Sequence, residues 1–209
     1  MVSEVHGQSA DLRVVLLRAQ GRNFSTGIDY AALKTLTREE ARHLAESGYS
    51  LLKHIEALAV PVIAAVKGET TGAGLGLALA ADLRIASSDA VFSFPEVRSG
   101  LPPLFGTSQR LYKTVGVGRA KELLFTGRIV HADEALRVGL VNKVVPSDAL
   151  DEEAERLAVG IAGNSLSALR AAKMLINYGL SEGYETGLKE EVTSLSEAFN
   201  PETRQWERL

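Results

Sequence analysis

The stretch from Thr70 to Asp82, Thr-Thr-Gly-Ala-Gly-Leu-Gly-Leu-Ala-Leu-Ala-Ala-Asp, constrains this chain more than any other. It follows Pro61-Val62-Ile63-Ala64-Ala65-Val66, a proline-led apolar run that reads as a buried strand. Its second half is too rich in Ala and Leu for another strand, so the order is strand, tight glycine turn, buried helix. Gly72, Gly74 and Gly76 each lower helix propensity by about 1 kcal/mol relative to alanine. Close backbone approach is the compensating use of such residues. A helix start also presents unpaired N–H groups and a positive dipole end, which suit it to receive a negative oxygen. Tight packing of the helix on a sheet is the other use of the same glycines. A phosphate loop is excluded, because neither G-x-x-x-x-G-K-[ST] nor a helix-opening G-x-G-x-x-G with a downstream acidic partner is present.

The rest of the composition narrows the class. A chain of 209 residues accommodates one compact domain, or one with a helical appendage. A formal charge of -3 argues against an extended nucleic-acid surface. The absence of cysteine removes disulfides, thiolate nucleophiles and zinc-thiolate sites. His6, His43, His54 and His131 are scattered without metal-ligand spacing, so no metal site is expected. No apolar run is long enough to span a bilayer and the N-terminus lacks a signal-peptide pattern, so a cytoplasmic location without membrane partners is the expectation.

Along the chain, Leu12–Arg18 reads as a strand and Gly21–Tyr30 as a loop. Thr37 and Glu40 form a capping box that opens a helix running to Pro61, with His43 and His54 on its solvent side or core edge. Leu83–Ala86, Ala90–Phe94 and Leu140–Val145 read as further strands. Helices are expected over Ser108–Val115, Arg119–Phe125, Asp133–Val138, Leu150–Ala162, Ser165–Tyr178 and Tyr184–Phe199. Alternation of strand and helix indicates an α/β fold. The expected organisation is a core over residues 1–146 and a helical region over 147–209.

Phe94–Gly106 is the second unusual stretch. Its prolines and glycines disfavour regular structure, while Phe94, Val97, Leu101, Leu104 and Phe105 surround a lone carboxylate, Glu96. Glu96 is either a solvated loop charge paired with Arg98 or a carboxylate held against apolar walls, where desolvation raises its pKa toward the range of a general base.

Taken in order, several strings resemble the crotonase superfamily, the enoyl-CoA hydratase/isomerase family. They are Phe24-Ser25-Thr26-Gly27-Ile28-Asp29, Pro61 to Gly68, Gly72-Ala73-Gly74 with Leu77 to Ala86, Phe92 to Glu96, Gln109-Arg110-Leu111, Thr126-Gly127 and Gly139-Leu140-Val141. The resemblance implies a spiral of ββα turns, and a C-terminal helical region that builds a homotrimer or a dimer of trimers. It also implies an acyl-CoA thioester as substrate, with coenzyme A as part of that substrate and no separate cofactor. By position, the backbone amides of Ile28 and Ala73 would hold the enolate oxygen. Asn23, Ser25, Asp29, Gly72 and Gly74 would lie along the coenzyme A path and reacting centre, with Leu75, Leu101, Leu104 and Phe105 lining an apolar acyl pocket.

Side chains separate the subfamilies. Hydratases resemble one another in two glutamates that hold a water between them; here the first position is Gly76 and the second is Glu96. A single glutamate matches the 3,2-enoyl-CoA isomerases, which move a proton from the α-carbon. Leu104 stands where dienoyl isomerases and dehalogenase-type members place an aspartate, and Glu69 reads as a solvent-exposed charge. The resemblance therefore implies a double-bond shift through a thioester enolate with Glu96 as base. A hydratase or other lyase, and a non-catalytic acyl-CoA binder, are the alternatives. The family normally carries a strand hairpin and a helix before the position of Leu12, and the resemblance therefore implies either a truncated chain or a misassigned start.

Overall fold

The computed structural model describes residues 12–199. The expectation for the N-terminal region before Leu12 lies outside the described residues. Strand β1 (Val15–Arg18) pairs in parallel with β2 (Val62–Val66), β2 with β4 (Leu83–Ser87), and β4 with β7 (Lys143–Val145), giving a four-stranded sheet in the order β1-β2-β4-β7. A second sheet sets β5 (Val91–Ser93) between β3 (Glu69–Thr71), parallel to it, and β6 (Val130–His131), antiparallel. The register places Val15 opposite Val62, and Ile63 opposite Leu83. Every residue of β2 is buried, as a central parallel strand covered on both faces requires, and this is why its sequence is apolar without alternation.

Helices α1 (Tyr30–Leu33), α2 (Arg38–Glu56) and α3 (Ala73–Ala80) precede β4. The Thr37–Glu40 capping box is formed, and α2 buries Leu52 and Ile55 while His43 and His54 face solvent. Helices α4 (Thr107–Val115), α5 (Val117–Thr126), α6 (Ala132–Arg137) and α7 (Leu150–Ala162) follow β5, and α8 (Leu166–Glu182) and α9 (Tyr184–Ala198) end the described chain. β3, β6 and α1 have no counterpart in the sequence reading. Strands of three and two residues show no periodicity of their own and exist through pairing with β5. The four-residue α1 is held by Asp29, whose side chain accepts from the Ala31 amide.

The chain divides into two compact units. One contains residues 15–58 and 62–158, and with them both sheets and the site below. The other contains α8 and α9, which approach closely enough that a Cβ on Gly187 would lie 3.0 Å from the Gly179 Cα. In that unit Arg13 Nη1 donates to the carbonyls of Ala162 and Asn164, and Lys173 Nζ donates to Val60. No helix among the described residues is long and apolar enough to cross a membrane.

Position and tilt of α3 are fixed at its end by two polar side chains. Asp82 Oδ2 accepts from the Val62 amide at 2.7 Å, and the Asp82 amide donates back to the Val62 carbonyl at 2.9 Å, locking β2 to the chain leaving α3. The buried Arg84 guanidinium donates from Nε to the Leu140 carbonyl at 2.8 Å and from Nη1 to Ala81 at 2.7 Å. Desolvation pulls its pKa down to about 10, partly opposed by Asp82, so it stays charged at neutral pH. A cation at the negative end of α3 complements the helix dipole and satisfies carbonyls that would otherwise be orphaned. Arg84→Met should therefore leave buried carbonyls unpaired and cost about 2–3 kcal/mol. Thermal denaturation followed by circular dichroism should show a fall of roughly 2–4 °C per kcal/mol.

Candidate active site

The glycine turn is closed by a second loop. Ser25 bridges in parallel to Thr70, the Thr71 amide donates to the Ser25 carbonyl at 3.0 Å, and Thr71 Oγ1 donates to the Thr26 carbonyl at 2.9 Å. Gly27 has φ +86°, and a Cβ there would lie 2.8 Å from the Thr71 carbonyl oxygen and 3.3 Å from the Ala73 nitrogen. A Cβ on Gly74 would overlap the Ser25 carbonyl. Only glycine permits these two backbones to meet at this separation. The amide of Ala73 opens α3, and neither it nor the Ile28 amide donates a hydrogen bond among the described residues. Two unengaged N–H groups thus occupy adjoining loops at the positive end of a helix, an arrangement able to receive an anionic oxygen.

Glu96 lies in a 3-10 turn over Pro95–Ser99 that follows β5, and it is 3% exposed. Its solvated-charge reading is thereby excluded, and Arg98 is turned to the Thr126 carbonyl instead. Oε1 points at the glycine turn, 2.5 Å from where a Cβ on Gly72 would stand, and Oε2 is buried without a hydrogen-bond partner. Gly72 must be glycine twice over: its φ of +52° lies outside the usual range for side-chain-bearing residues, and its missing Cβ makes room for the carboxylate. Desolvation raises the Glu96 pKa above the ordinary 4.5, only partly offset by a backbone hydrogen bond.

Two residues that the sequence reading did not single out stand beside this centre. The Tyr30 hydroxyl lies 3.5 Å from the same Gly72 Cβ position, and burial and then the Glu96 charge raise its pKa. Its signal in the sequence was only its place directly after Asp29. Thr107, at the start of α4, is 1% exposed, and its unpartnered Oγ1 lies 2.6 Å from where a Gly76 Cβ would be, with Leu52 Cδ1 at 3.4 Å. The space next to Gly76 is thus filled by α4 and α2. Nothing in the local sequence announces this, because it arises from packing of separate helices.

The remaining candidates are distributed around these groups. Asn23 Oδ1 accepts from the Glu69 amide, Ser25 Oγ accepts from Gly27, and Asp29 caps α1, so the three side chains brace their loop. Glu69 is exposed. Leu75 is fully buried on α3, whereas Leu101, Leu104 and Phe105 are half-buried on the segment after Glu96. Phe105 has φ +54°; its ring covers Gly48 of α2, and its carbonyl accepts from Arg110 Nη1 at 2.6 Å. Arg110 is held in turn by a bidentate pair with Glu56. No group of three or more metal-ligating side chains occurs among the described residues.

An α/β fold that buries a carboxylate against a glycine turn at a helix start has an enzyme-type site. Residues 3–208 match the family described as Enoyl-CoA hydratase/isomerase, and the chain belongs to that family. It is 40% identical over 202 residues to a short-chain-enoyl-CoA hydratase of Clostridium acetobutylicum, covering 97% of this chain and 77% of that one. It is 38% identical over 198 residues to a crotonyl-CoA hydratase of Syntrophomonas wolfei, with coverage of 95% and 75%. Among solved structures, an enoyl-CoA hydratase from Bacillus anthracis superposes with a TM-score of 0.88 at 37% identity, covering 93% of this chain and 76% of the other. The crotonase-like fold expected from the sequence is the fold observed.

Gly72→Ala tests the double requirement at the turn. The variant should lose about 2 kcal/mol or more through backbone strain alone. In chemical denaturation its midpoint should fall well below that of an Ala substitution at the unconstrained Gly118, where a Cβ meets nothing within 4 Å.

Proposed function

We propose that this enzyme shifts a double bond in an enoyl-CoA thioester by proton transfer, converting a 3-enoyl to a 2-enoyl thioester. The observation that carries the reading is the single buried carboxylate beside the glycine turn, with Thr107 filling the place beside Gly76 where a second would begin. The Glu96 carboxylate takes a proton from the α-carbon, and the electron pair moves onto the thioester oxygen. The amides of Ile28 and Ala73 receive that enolate oxygen, a contribution of several kcal/mol from two preorganised donors. Collapse of the enolate returns the proton from Glu96 to the γ-carbon, and the double bond ends in conjugation. Leu75, Leu101, Leu104 and Phe105 supply the apolar surroundings for the acyl chain.

Hydration of a 2-enoyl thioester is the second reading, favoured by the hydratase names of the relatives at 40% and 38% identity. Assembly of identical chains into a trimer is supported by the apolar side chains that α8 and α9 leave exposed, Ile176, Leu180, Val192 and Leu195 among them. Light scattering on the purified protein should give about three times the chain mass or a multiple of it.

Glu96→Gln tests the mechanism. Conversion of 3-enoyl-CoA, followed by the absorbance of the conjugated thioester, should fall on the order of 10²-fold or more. In the parent enzyme the acid limb of kcat/KM should lie above the ordinary glutamate range, since the carboxylate must be ionised to act and burial raises its pKa. The stability effect has the opposite sense. A raised pKa means that the folded state favours the protonated form, so this residue's contribution is full below the unfolded pKa and is lost as pH rises through the folded one. At neutral pH the Gln variant should thus be no less stable than the parent while being far less active.

A further inference from the structure

Glu96 is tied to helix α2 by a route that leads away from the glycine turn. The Leu101 amide donates to the Glu96 carbonyl at 3.0 Å, closing the 3-10 turn around Gly100. Leu101 is followed by Pro102 and Pro103, whose rings fix φ and confine the residue before each of them to extended backbone. This segment is therefore stiff although it belongs to no helix or strand. It ends at Phe105, whose φ of +54° is left-handed backbone that side-chain-bearing residues rarely adopt. Arg110 Nη1 donates to the Phe105 carbonyl at 2.6 Å, and the Phe105 ring lies on α2 where Gly48 has no Cβ. The Arg110 guanidinium is itself anchored: Nε and Nη2 donate to the two carboxylate oxygens of Glu56 at 2.6 and 2.8 Å, and the residue is 8% exposed. Glu56 is the last residue of α2, an end where the helix dipole disfavours a carboxylate, and the fork on Arg110 offsets that. Gly106 leaves room for the guanidinium, since a Cβ there would lie 2.8 Å from Nη1.

We propose that Arg110 is a positioning residue for Glu96: by joining the Phe105 carbonyl to Glu56 of α2 it anchors the far end of the proline segment, and that segment holds the Glu96 turn against the glycine turn. This rests on the assignment of Glu96 as the base made above. Arg110 bonds to neither the Glu96 carboxylate nor the substrate; it governs where the carboxylate stands and how dry it is. With the anchor released, Phe105 relaxes toward negative φ, the segment shifts with it, and water reaches Glu96. Few charges compete with this effect. The glycine turn and β5 carry no titratable side chain, α1 contributes Tyr30, and Arg98 of the Glu96 turn itself donates to the Thr126 carbonyl. On α5, which packs on the turn, Arg119 and Glu122 pair with each other and Lys121 is exposed. Desolvation is accordingly the main cause of the raised Glu96 pKa, and it is the quantity that the anchor controls.

Arg110→Lys tests the anchor, because lysine keeps the charge facing Glu56 but cannot hold the two-pronged carboxylate contact and the Phe105 carbonyl at once. Conversion of 3-enoyl-CoA should fall at least about tenfold, mainly in kcat, as a base displaced by a fraction of an ångström requires. The acid limb of kcat/KM should move down toward the ordinary glutamate range, since a wetter carboxylate loses the burial that raised its pKa. A smaller fraction of folded enzyme lowers kcat without moving that limb, so either change without the other, or neither, overturns the proposal. The pair Pro102→Gly and Pro103→Gly softens the same segment at two exposed positions and serves where the Lys variant does not fold. It should give the same two changes, and a parent-like kcat and acid limb in that variant overturns the proposal as well. If Glu96→Gln retains the double-bond shift, the underlying assignment of the base is what fails.

Discussion

The site depends on one close contact, the meeting of the Ser25–Gly27 loop with the Gly72–Gly74 turn. Hydrogen bonds from Thr71 to the carbonyls of Ser25 and Thr26 draw the two segments together, and glycine at 27 and 74 removes the Cβ atoms that would keep them apart. That contact places Gly27 against the start of α3, and at Gly72 the missing Cβ leaves room for the Glu96 carboxylate, with the Tyr30 hydroxyl nearby.

An eight-residue helix containing two glycines, with a third at its N-cap, has little intrinsic stability, so α3 is held from outside. It packs against α2, α4 and β3, and the reciprocal Asp82–Val62 hydrogen bonds and the Arg84 guanidinium fix its C-terminal end. The same rigidity keeps Glu96 in an unfavourable place for a charge. An unpartnered carboxylate oxygen in a buried position costs stability, and the same burial raises its pKa. Stability elsewhere in the sheet offsets that local cost.

Family membership and single-residue chemistry operate at different levels here. The relatives at 40% and 38% identity carry hydratase names, and position 76 of this chain is glycine. The structure makes its bare Cα part of the packing, since a Thr107 hydroxyl and a Leu52 methyl stand against it.

Much of this was legible in the residues themselves. The buried strand before the glycine turn, the capping box of α2, the order of strands and helices and the isolation of Glu96 among apolar residues are local patterns, and local patterns are written in sequence. The short strands β3 and β6 were not legible, because their existence is a property of pairing with β5. The choice between a solvated and a buried Glu96 was likewise open until the 3-10 turn placed it against Gly72. The places of Tyr30 beside Gly72 and of Thr107 beside Gly76 belong with these, since each arises from packing between elements distant in the chain. The sequence alone determined which backbone could come close, since glycine and proline act where they stand. Only the tertiary structure decided which side chains would fill the space so created, because that depends on distances between segments that the chain order does not encode.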